Sequence, residues 1–340
     1  MNHLGCIFLE EGINFDYSSV TDCCISHNDG RGLPLLIDNY HGEMLDWNKI
    51  FEIKENRIKE QLNKTIYDCE KCYRLSEYKF KHQRKISEFH FSHCRTCNSK
   101  CVYCSKEYND SGLNYDTYPI IKDLIEKGFY SPGGEATFQG GEPLLMHHFN
   151  ELIELFTSNG TKVRVHSSGI KYSHEVEKAL KNDNGTIVIS LDSSNRETYK
   201  KIKRVDCFDK VVENIEKYSY ANSNNITIKY IIVPGYNDNL YETDNFLTLM
   251  KKLGIKNIAL DIDCQYARKY DNKNLSAHIY LIMDYFENKA KKLGFNLLIY
   301  SFISYVKRDR TVKHYPFINF KPIYSLFVSA LTEKTKNLSY

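Results

Sequence analysis

The sequence lacks long apolar runs and an apolar signal segment. Its apolar stretches, such as Ile226 to Val233, contain polar residues and fall far short of the ~20 residues that cross a bilayer. The first residues carry Glu10, Glu11 and Asp16 rather than a basic start and an apolar core. We therefore expect no transmembrane helix, no secretory signal and a cytoplasmic location.

The sequence also has no marked excess of charge of one sign. With 46 Lys and Arg against 43 Asp and Glu, the formal net charge is only +3. No global field therefore favours nucleic acid or a membrane surface. The tail from Gly294 to Tyr340 interleaves aromatic and basic residues, a pattern that can bind single-stranded nucleic acid. The near-neutral balance favours a solvated cap instead, so we expect neither a nucleic-acid nor a membrane partner.

Cysteine is plentiful and unevenly placed. The chain has 11 cysteines, an odd number, and cellular thiol buffers keep cytoplasmic cysteines reduced, so metal binding is a better explanation than disulfides. Only Cys207 and Cys264 lie beyond residue 104. This clustering indicates metal chemistry in the first third of the chain.

Strand-like and helix-like runs alternate from Glu88 to Leu293 in six successive β/α units. Parallel neighbours need helical crossovers, so the pattern predicts an α/β fold, a partial (β/α)6 TIM-type barrel with its site at the carboxyl ends of the strands. We expect a small, irregular, Cys-rich unit over residues 1–82, the barrel over 83–293, and a C-terminal cap or extension over 294–340.

Three cysteines follow the first predicted barrel strand in a CxxxCxxC loop, Cys97, Cys101 and Cys104. A four-iron cluster needs four ligands, so three thiolates leave one iron open to an outside molecule. The alternative is a zinc site, although zinc usually takes a fourth protein ligand when it is structural.

Three further segments stand at the ends of the next three predicted strands: Gly140-Gly141-Glu142-Pro143, His166-Ser167-Ser168-Gly169 and Ile189-Ser190-Leu191-Asp192-Ser193. Their order and spacing after the cysteine loop resemble the radical S-adenosylmethionine (SAM) superfamily. The resemblance implies a catalytic 4Fe-4S cluster on the three cysteines, with SAM bound to the open iron. It also implies reductive cleavage of SAM to methionine and a 5′-deoxyadenosyl radical that abstracts hydrogen from a substrate. An electron donor such as flavodoxin or ferredoxin is the implied partner.

The same resemblance assigns SAM-binding roles. The GGEP segment is expected to hold the amino group of SAM, and Ser190 and Asp192 to lie near its ribose and methionine portion. Tyr103 packs beside the adenine or, equally, fills the underside of the loop. The full expected set is Tyr103, Gly140, Gly141, Glu142, Pro143, Ser168, Ser190 and Asp192.

A second cysteine series precedes the barrel: Cys6, Cys23 or Cys24, Cys69 and Cys72, with Trp47 and Arg57 on a helical stretch between them. It resembles the auxiliary-cluster modules called SPASM or twitch domains, although in relatives that module usually follows the barrel. The resemblance implies a second 4Fe-4S cluster on Cys6, Cys23, Cys69 and Cys72, with Cys24 as the alternative to Cys23. A tetrahedral zinc site on the same cysteines is the alternative.

Cys264 follows the sixth predicted strand, at the rim where a substrate enters. It is the one candidate catalytic residue, either returning hydrogen to the substrate radical or ligating a group beside it; the alternative is an ordinary loop cysteine. The expected substrate is either a peptide or a small molecule, namely a carbohydrate-type metabolite. The competing function is a zinc-stapled, non-catalytic binding module, which has no need of the GGEP and Ser190–Asp192 segments.

Overall fold

The computed structural model describes residues 3–23, 35–63, 69, 72, 75–104, 115–269 and 275–299. Cys24 and most of the predicted C-terminal cap lie outside these ranges. Within them, no helix is long and apolar enough to cross a membrane.

Twelve strands are assigned within the described ranges. They are β1 His3–Gly5, β2 Gly12–Phe15, β3 Ser19–Thr21, β4 Leu35–Asp38, β5 Ser76–Tyr78, β6 Glu88–Phe91, β7 Glu135–Phe138, β8 Lys162–Ser167, β9 Gly185–Ser190, β10 Ile226–Ile232, β11 Asn257–Ile262 and β12 Asn296–Ile299.

The α-helices of the same ranges fall mainly between the strands of the second half. They are α1 Ile7–Glu11, α2 Trp47–Asn63, α3 Tyr118–Glu126, α4 Phe149–Ser158, α5 His174–Lys181, α6 Arg196–Lys203, α7 Phe208–Asn222, α8 Leu240–Lys252, α9 Cys264–Lys269 and α10 Ala277–Lys292.

Strands β6 to β12 lie side by side in chain order, and every neighbouring pair among them is parallel. Helices connect these strands, as parallel pairing requires. The predicted α/β fold with a partial-barrel sheet is confirmed. The structure adds strand β12, which lies at the start of the region expected to be a cap.

The N-terminal residues extend the same sheet. Strand β2 pairs in parallel with β6, with Phe15 opposite Phe91, and β3 and β4 continue the sheet with antiparallel pairs. Ile13, Phe15 and Trp47 belong to the same hydrophobic core as the barrel residues. The boundary near residue 82 stays a prediction, since the sheet runs across it.

The two faces of the sheet differ in chemistry. On the face covered by helices, Phe91 stacks on Phe138 with 4.7 Å between ring centroids, and Tyr230 contacts Phe246 of α8 at 4.6 Å. Because side chains alternate along a strand, the intervening residues point to the opposite, inner face. This inner face, defined here by Glu135, Arg164, His166, Lys229 and Asp261, is polar.

A buried lysine ties helix α2 to the first strands. The Lys54 ammonium donates to the carbonyl oxygen of Gly12 at 2.8 Å and lies 2.8 Å from Asp22 Oδ1. The Lys54 and Asp22 side chains are each only 2% exposed. Arg57 pairs with the other oxygen of Asp22 at 2.8 Å. A buried charge is tolerated only when it is paired and hydrogen-bonded, so each partner depends on the others.

We expect Lys54→Met to destabilise the folded chain by about 3 kcal/mol, because it leaves a buried carboxylate and a buried carbonyl short of a partner. The measurement is anaerobic urea unfolding followed by circular dichroism. Lys59→Met, on an exposed position of the same helix, is the matched control and should change stability by less than about 0.5 kcal/mol. Equal unfolding midpoints for the two variants would contradict the role of Lys54.

Candidate functional site

The loop of Cys97, Cys101 and Cys104, called here the cluster loop, follows β6 and is fixed to helix α6. The Lys100 and Val102 amides donate to the carbonyl oxygens of Lys203 and Ile202, each at 2.9 Å. Val102 and Tyr103 also pack on a small apolar cluster of Ile202, Ile231 and Val233. The end of one helix therefore shapes the loop that carries all three cysteines.

The three thiols are half-buried and free. Burial raises the pKa of Cys97 to about 11, and the charges of Glu142, Cys101 and Cys104 act in the same direction, whereas the Ser99 amide opposes them. Within the described ranges, no three His, Cys, Asp or Glu side chains form a group that could hold a metal ion as they stand. The donor set nevertheless fits an iron–sulfur cluster, because three cysteines share one loop and thiolates are the usual ligands of such a cluster.

Two buried hydroxyls near these thiols add to that fit. Ser99 Oγ, inside the loop, and Tyr199 Oη are buried, and neither has a hydrogen-bond partner among the described residues. Burial raises the pKa of Tyr199, and the charges of Cys207 and, after it, Cys101 act in the same direction. Unpaired buried hydroxyls are rare in folded proteins, and hydrogen bonds to sulfur are one means by which proteins adjust a cluster.

The glycines of the GGEP segment allow two loops to touch. A Cβ on Gly141 would lie 2.3 Å from the carbonyl oxygen of Thr96, and one on Gly140 would lie 2.9 Å from that of Cys94. The Gly141 amide donates to the Cys94 carbonyl at 2.7 Å, and the Glu142 amide to the Thr96 carbonyl at 2.8 Å. These glycines are therefore required for the backbone after β7 to approach the backbone that leads into the cluster loop.

Glu142 joins the ends of β7 and β8. Its carboxylate is fully buried and accepts hydrogen bonds from Ser167 Oγ at 2.9 Å and the Ser168 amide at 2.7 Å. Burial raises the pKa of Glu142, and these hydrogen bonds oppose the rise. Ser168 Oγ in turn donates to Asn98 Oδ1, in the cluster loop, at 2.9 Å. Two expected SAM-binding residues thus contact each other and the loop.

Asp192, just after β9, is bonded to the cluster loop and to α6. Tyr103 Oη donates to Asp192 Oδ2 at 2.6 Å, and Lys203 Nζ lies 2.5 Å from the same oxygen and 2.7 Å from Tyr103 Oη. The other carboxylate oxygen accepts from the Ile231 amide at 2.7 Å. Burial alone lowers the pKa of Lys203, but Asp192 raises it, and the net shift is upward.

Three residues that hold the site, Lys203, Asn98 and Gln265, were not predicted from the sequence. Lys203 could have been noticed, because it lies four residues after Tyr199 on the buried face of α6, where a lysine needs a partner. Gln265 Nε2 donates to the Cys104 carbonyl at 2.7 Å, a contact across 161 residues that no local pattern predicts.

The expected second set of cysteines is partly brought together. Charge on Cys6 and Cys72 acts on the pKa of Cys69, which burial raises to about 12, so these three thiols are near one another. The Cys72 amide donates to the Cys69 carbonyl at 2.9 Å. Cys23 is half-buried next to Asp22, whose charge also acts on Cys6 and Cys69.

The remaining expected residues lie where the strands end. Cys264 is half-buried at the first position of α9, directly after β11. Ser190 is the last residue of β9, and Pro143 is buried in the 3₁₀ turn after β7. The chemical roles expected for Cys264, Ser190 and Pro143 stay predictions.

The inner face of the sheet carries paired charges. Arg164 holds Glu135 through two hydrogen bonds of 2.8 and 2.9 Å, and Lys229 lies 3.0 Å from Asp261. Burial lowers the pKa of His166 to about 4, with Lys229 and Arg164 contributing, so its imidazole is neutral at pH 7. The Lys229 side chain is 21% exposed and that of Arg164 43%, so this polar face is open to solvent.

Comparisons with known proteins cover mainly the barrel. The family model for the radical SAM superfamily matches residues 91–247. GTP 3′,8-cyclase from Clostridium botulinum (strain Okra / Type B1) is 31% identical over 184 residues, or 52% of this chain and 56% of that protein. GTP 3′,8-cyclase from Petrotoga mobilis is 27% identical over 226 residues, or 61% of this chain and 64% of that protein. The chain therefore spans less than two thirds of the length of these relatives.

The solved structure of Streptococcus suis SuiB bound to precursor peptide SuiA has a similar fold, with a TM-score of 0.52. The superposed region covers 85% of this chain and 61% of the SuiB chain. At 12% identity, this likeness supports the fold. The superfamily uses a 4Fe-4S cluster and SAM, the two catalytic cofactors that the motifs predicted. Residues 91–247 of this chain therefore carry a radical SAM domain.

Proposed function

We propose that this protein is a radical SAM enzyme whose catalytic 4Fe-4S cluster is held by Cys97, Cys101 and Cys104. The observation that supports this best is the convergence on one loop of three half-buried thiols, at the carboxyl edge of the parallel sheet. When reduced by a donor such as flavodoxin or ferredoxin, the cluster supplies the electron that cleaves SAM to methionine and a 5′-deoxyadenosyl radical.

In this proposal, the protein's own residues bind and orient SAM and exclude water. The Glu142 carboxylate already accepts hydrogen bonds from Ser167 and Ser168, so it shapes the GGEP segment while the backbone of that segment holds the amino group of SAM. Ser168, Ser190 and Asp192 stand at adjacent strand ends beside the cluster loop. Tyr103 packs on Ile202, Ile231 and Val233 and donates to Asp192 at 2.6 Å, so it joins the cluster loop to this side of the site.

We propose that the substrate is polar and lies against the inner face of the sheet. Paired charges and a neutral His166 offer donors and acceptors there without a net charge. This chemistry is compatible with a carbohydrate-type metabolite or a peptide backbone, the two classes expected from the sequence. Cys264, the first residue of α9, is then the candidate that returns hydrogen to the substrate radical.

Replacing the three loop cysteines tests the catalytic site. Cys97→Ala/Cys101→Ala/Cys104→Ala should reduce the iron content after anaerobic reconstitution from about eight to about four per chain, because one cluster loses its ligands. Reductive cleavage of SAM, measured as 5′-deoxyadenosine formed with dithionite, should be abolished.

Cys207→Ala removes a half-buried cysteine before α7 and is the matched control, with unchanged iron and 5′-deoxyadenosine. Cleavage of SAM by the triple variant at the wild-type rate would contradict the proposed catalytic cluster site. Zinc without iron in the wild type would instead favour the non-catalytic binding module.

We further propose that Cys6, Cys23, Cys69 and Cys72 bind an auxiliary 4Fe-4S cluster. Support comes from the electrostatic coupling of Cys6, Cys69 and Cys72 next to the buried Asp22. Four protein thiolates leave no iron open, which suits electron transfer or structure rather than SAM binding.

The double variant Cys69→Ala/Cys72→Ala should lose about four irons per chain while still cleaving SAM without substrate, because the catalytic loop keeps its ligands. Metal analysis and 5′-deoxyadenosine formation measure the two effects. If the variant loses zinc and keeps all its iron, these cysteines form a structural zinc site and the proposed auxiliary cluster is absent.

A further inference from the structure

A fully buried lysine lies beside the cluster loop. The Lys203 side chain is 2% exposed and the Asp192 side chain 0%, and their charged atoms are 2.5 Å apart. A buried ion pair costs desolvation energy that a pair of apolar residues would avoid, so its stability alone does not explain its presence. Its position beside the cluster loop suggests that it helps to hold the shape of that loop.

Three links connect this ion pair to the cluster loop. Lys203 Nζ lies 2.7 Å from Tyr103 Oη, which itself donates to Asp192 at 2.6 Å. The Lys203 carbonyl accepts from the Lys100 amide at 2.9 Å. Asp192 adopts a φ of 59°, a left-handed backbone conformation uncommon outside glycine, and its carboxylate and carbonyl are held by Ile231 and Asn237.

We propose that Lys203 is a positioning residue: together with Asp192 it clamps Tyr103 and thereby holds the cluster loop in its ligand-bearing shape before and after the cluster is inserted. The clamp reaches the loop through one side chain, Tyr103, and through two backbone hydrogen bonds to the end of α6. This inference rests on the proposed function for the cluster itself, but the shape of the loop can be measured without iron.

The first test is amide hydrogen exchange on the full chain, reconstituted and iron-free. Lys203→Met should speed exchange of peptides covering residues 97–104 at least about tenfold, because the loop loses the side-chain link through Tyr103 and its amides open more often, although their backbone acceptors remain. Peptides from α4 and α10, which contact neither Lys203 nor Asp192, should exchange as in the wild type. Lys201→Met, at an exposed position of the same helix, is the matched control and should leave the loop unchanged.

The second test is iron loss from the holoenzyme to a chelator under anaerobic conditions. Lys203→Met should release iron at least about tenfold faster than Lys201→Met, and Lys203→Arg, which keeps the charge, should recover most of the difference. If Lys203→Met does not fold, Tyr103→Phe removes the hydroxyl that contacts the pair while keeping both charges. It should give a smaller change in the same direction.

The clamp is overturned if the cluster loop of Lys203→Met or Tyr103→Phe exchanges at the wild-type rate. It is also overturned if Lys201→Met speeds exchange of the loop as much as Lys203→Met does. Failure of the wild-type protein to bind iron, with the exchange result as expected, would refute the proposed function and leave the clamp standing. The two conclusions can therefore fail separately.

Discussion

Parallel strand pairing is the constraint on which the rest of this structure depends. Each parallel pair from β6 to β12 needs a crossover, so the carboxyl ends of all seven strands lie on one edge of the sheet. Segments far apart in the chain, such as the cluster loop, the GGEP segment and Asp192, become neighbours on that edge. The hydrogen bonds from Ser168 to Asn98 and from Tyr103 to Asp192 span 70 and 89 residues and are the direct result.

Buried carboxylates then hold together the strand ends and the cluster loop that the backbone brings close. Glu142 is held by Ser167 and Ser168, and Asp192 by Lys203, Tyr103 and the Ile231 amide. Each carboxylate is almost completely removed from water, where an unsatisfied partner is costly. The carboxyl edge is thus rigid where it meets the cluster loop, which suits a site that must hold a cofactor in one orientation.

The alternation of β and α segments and the spacing of Cys97, Cys101 and Cys104 could be predicted from the sequence because both depend on local pattern. The partial barrel follows from the alternation, whereas the resemblance to the radical SAM superfamily also rests on the GGEP and Ser190–Asp192 segments. The clamp by Lys203 and the contact of Gln265 with the Cys104 carbonyl could not, since they join α6 and α9 to a loop 100 or more residues earlier. Nor could the extension of the sheet by β2, a four-residue strand without strong alternation.

The pairing of β2 with β6 brings the N-terminal cysteines onto the barrel sheet. The Ser92 amide donates to the Phe15 carbonyl at 2.8 Å, so the residue that opens the loop toward Cys97 is bonded to the N-terminal strand. Cys6 precedes α1 and β2, and Cys23 follows β3, so these two cysteines flank strands that continue the barrel sheet. Residues beside the first barrel strand are therefore held on the same sheet as the cluster loop. Cys6 and Cys23 are thus attached to the same sheet that carries Cys97, Cys101 and Cys104.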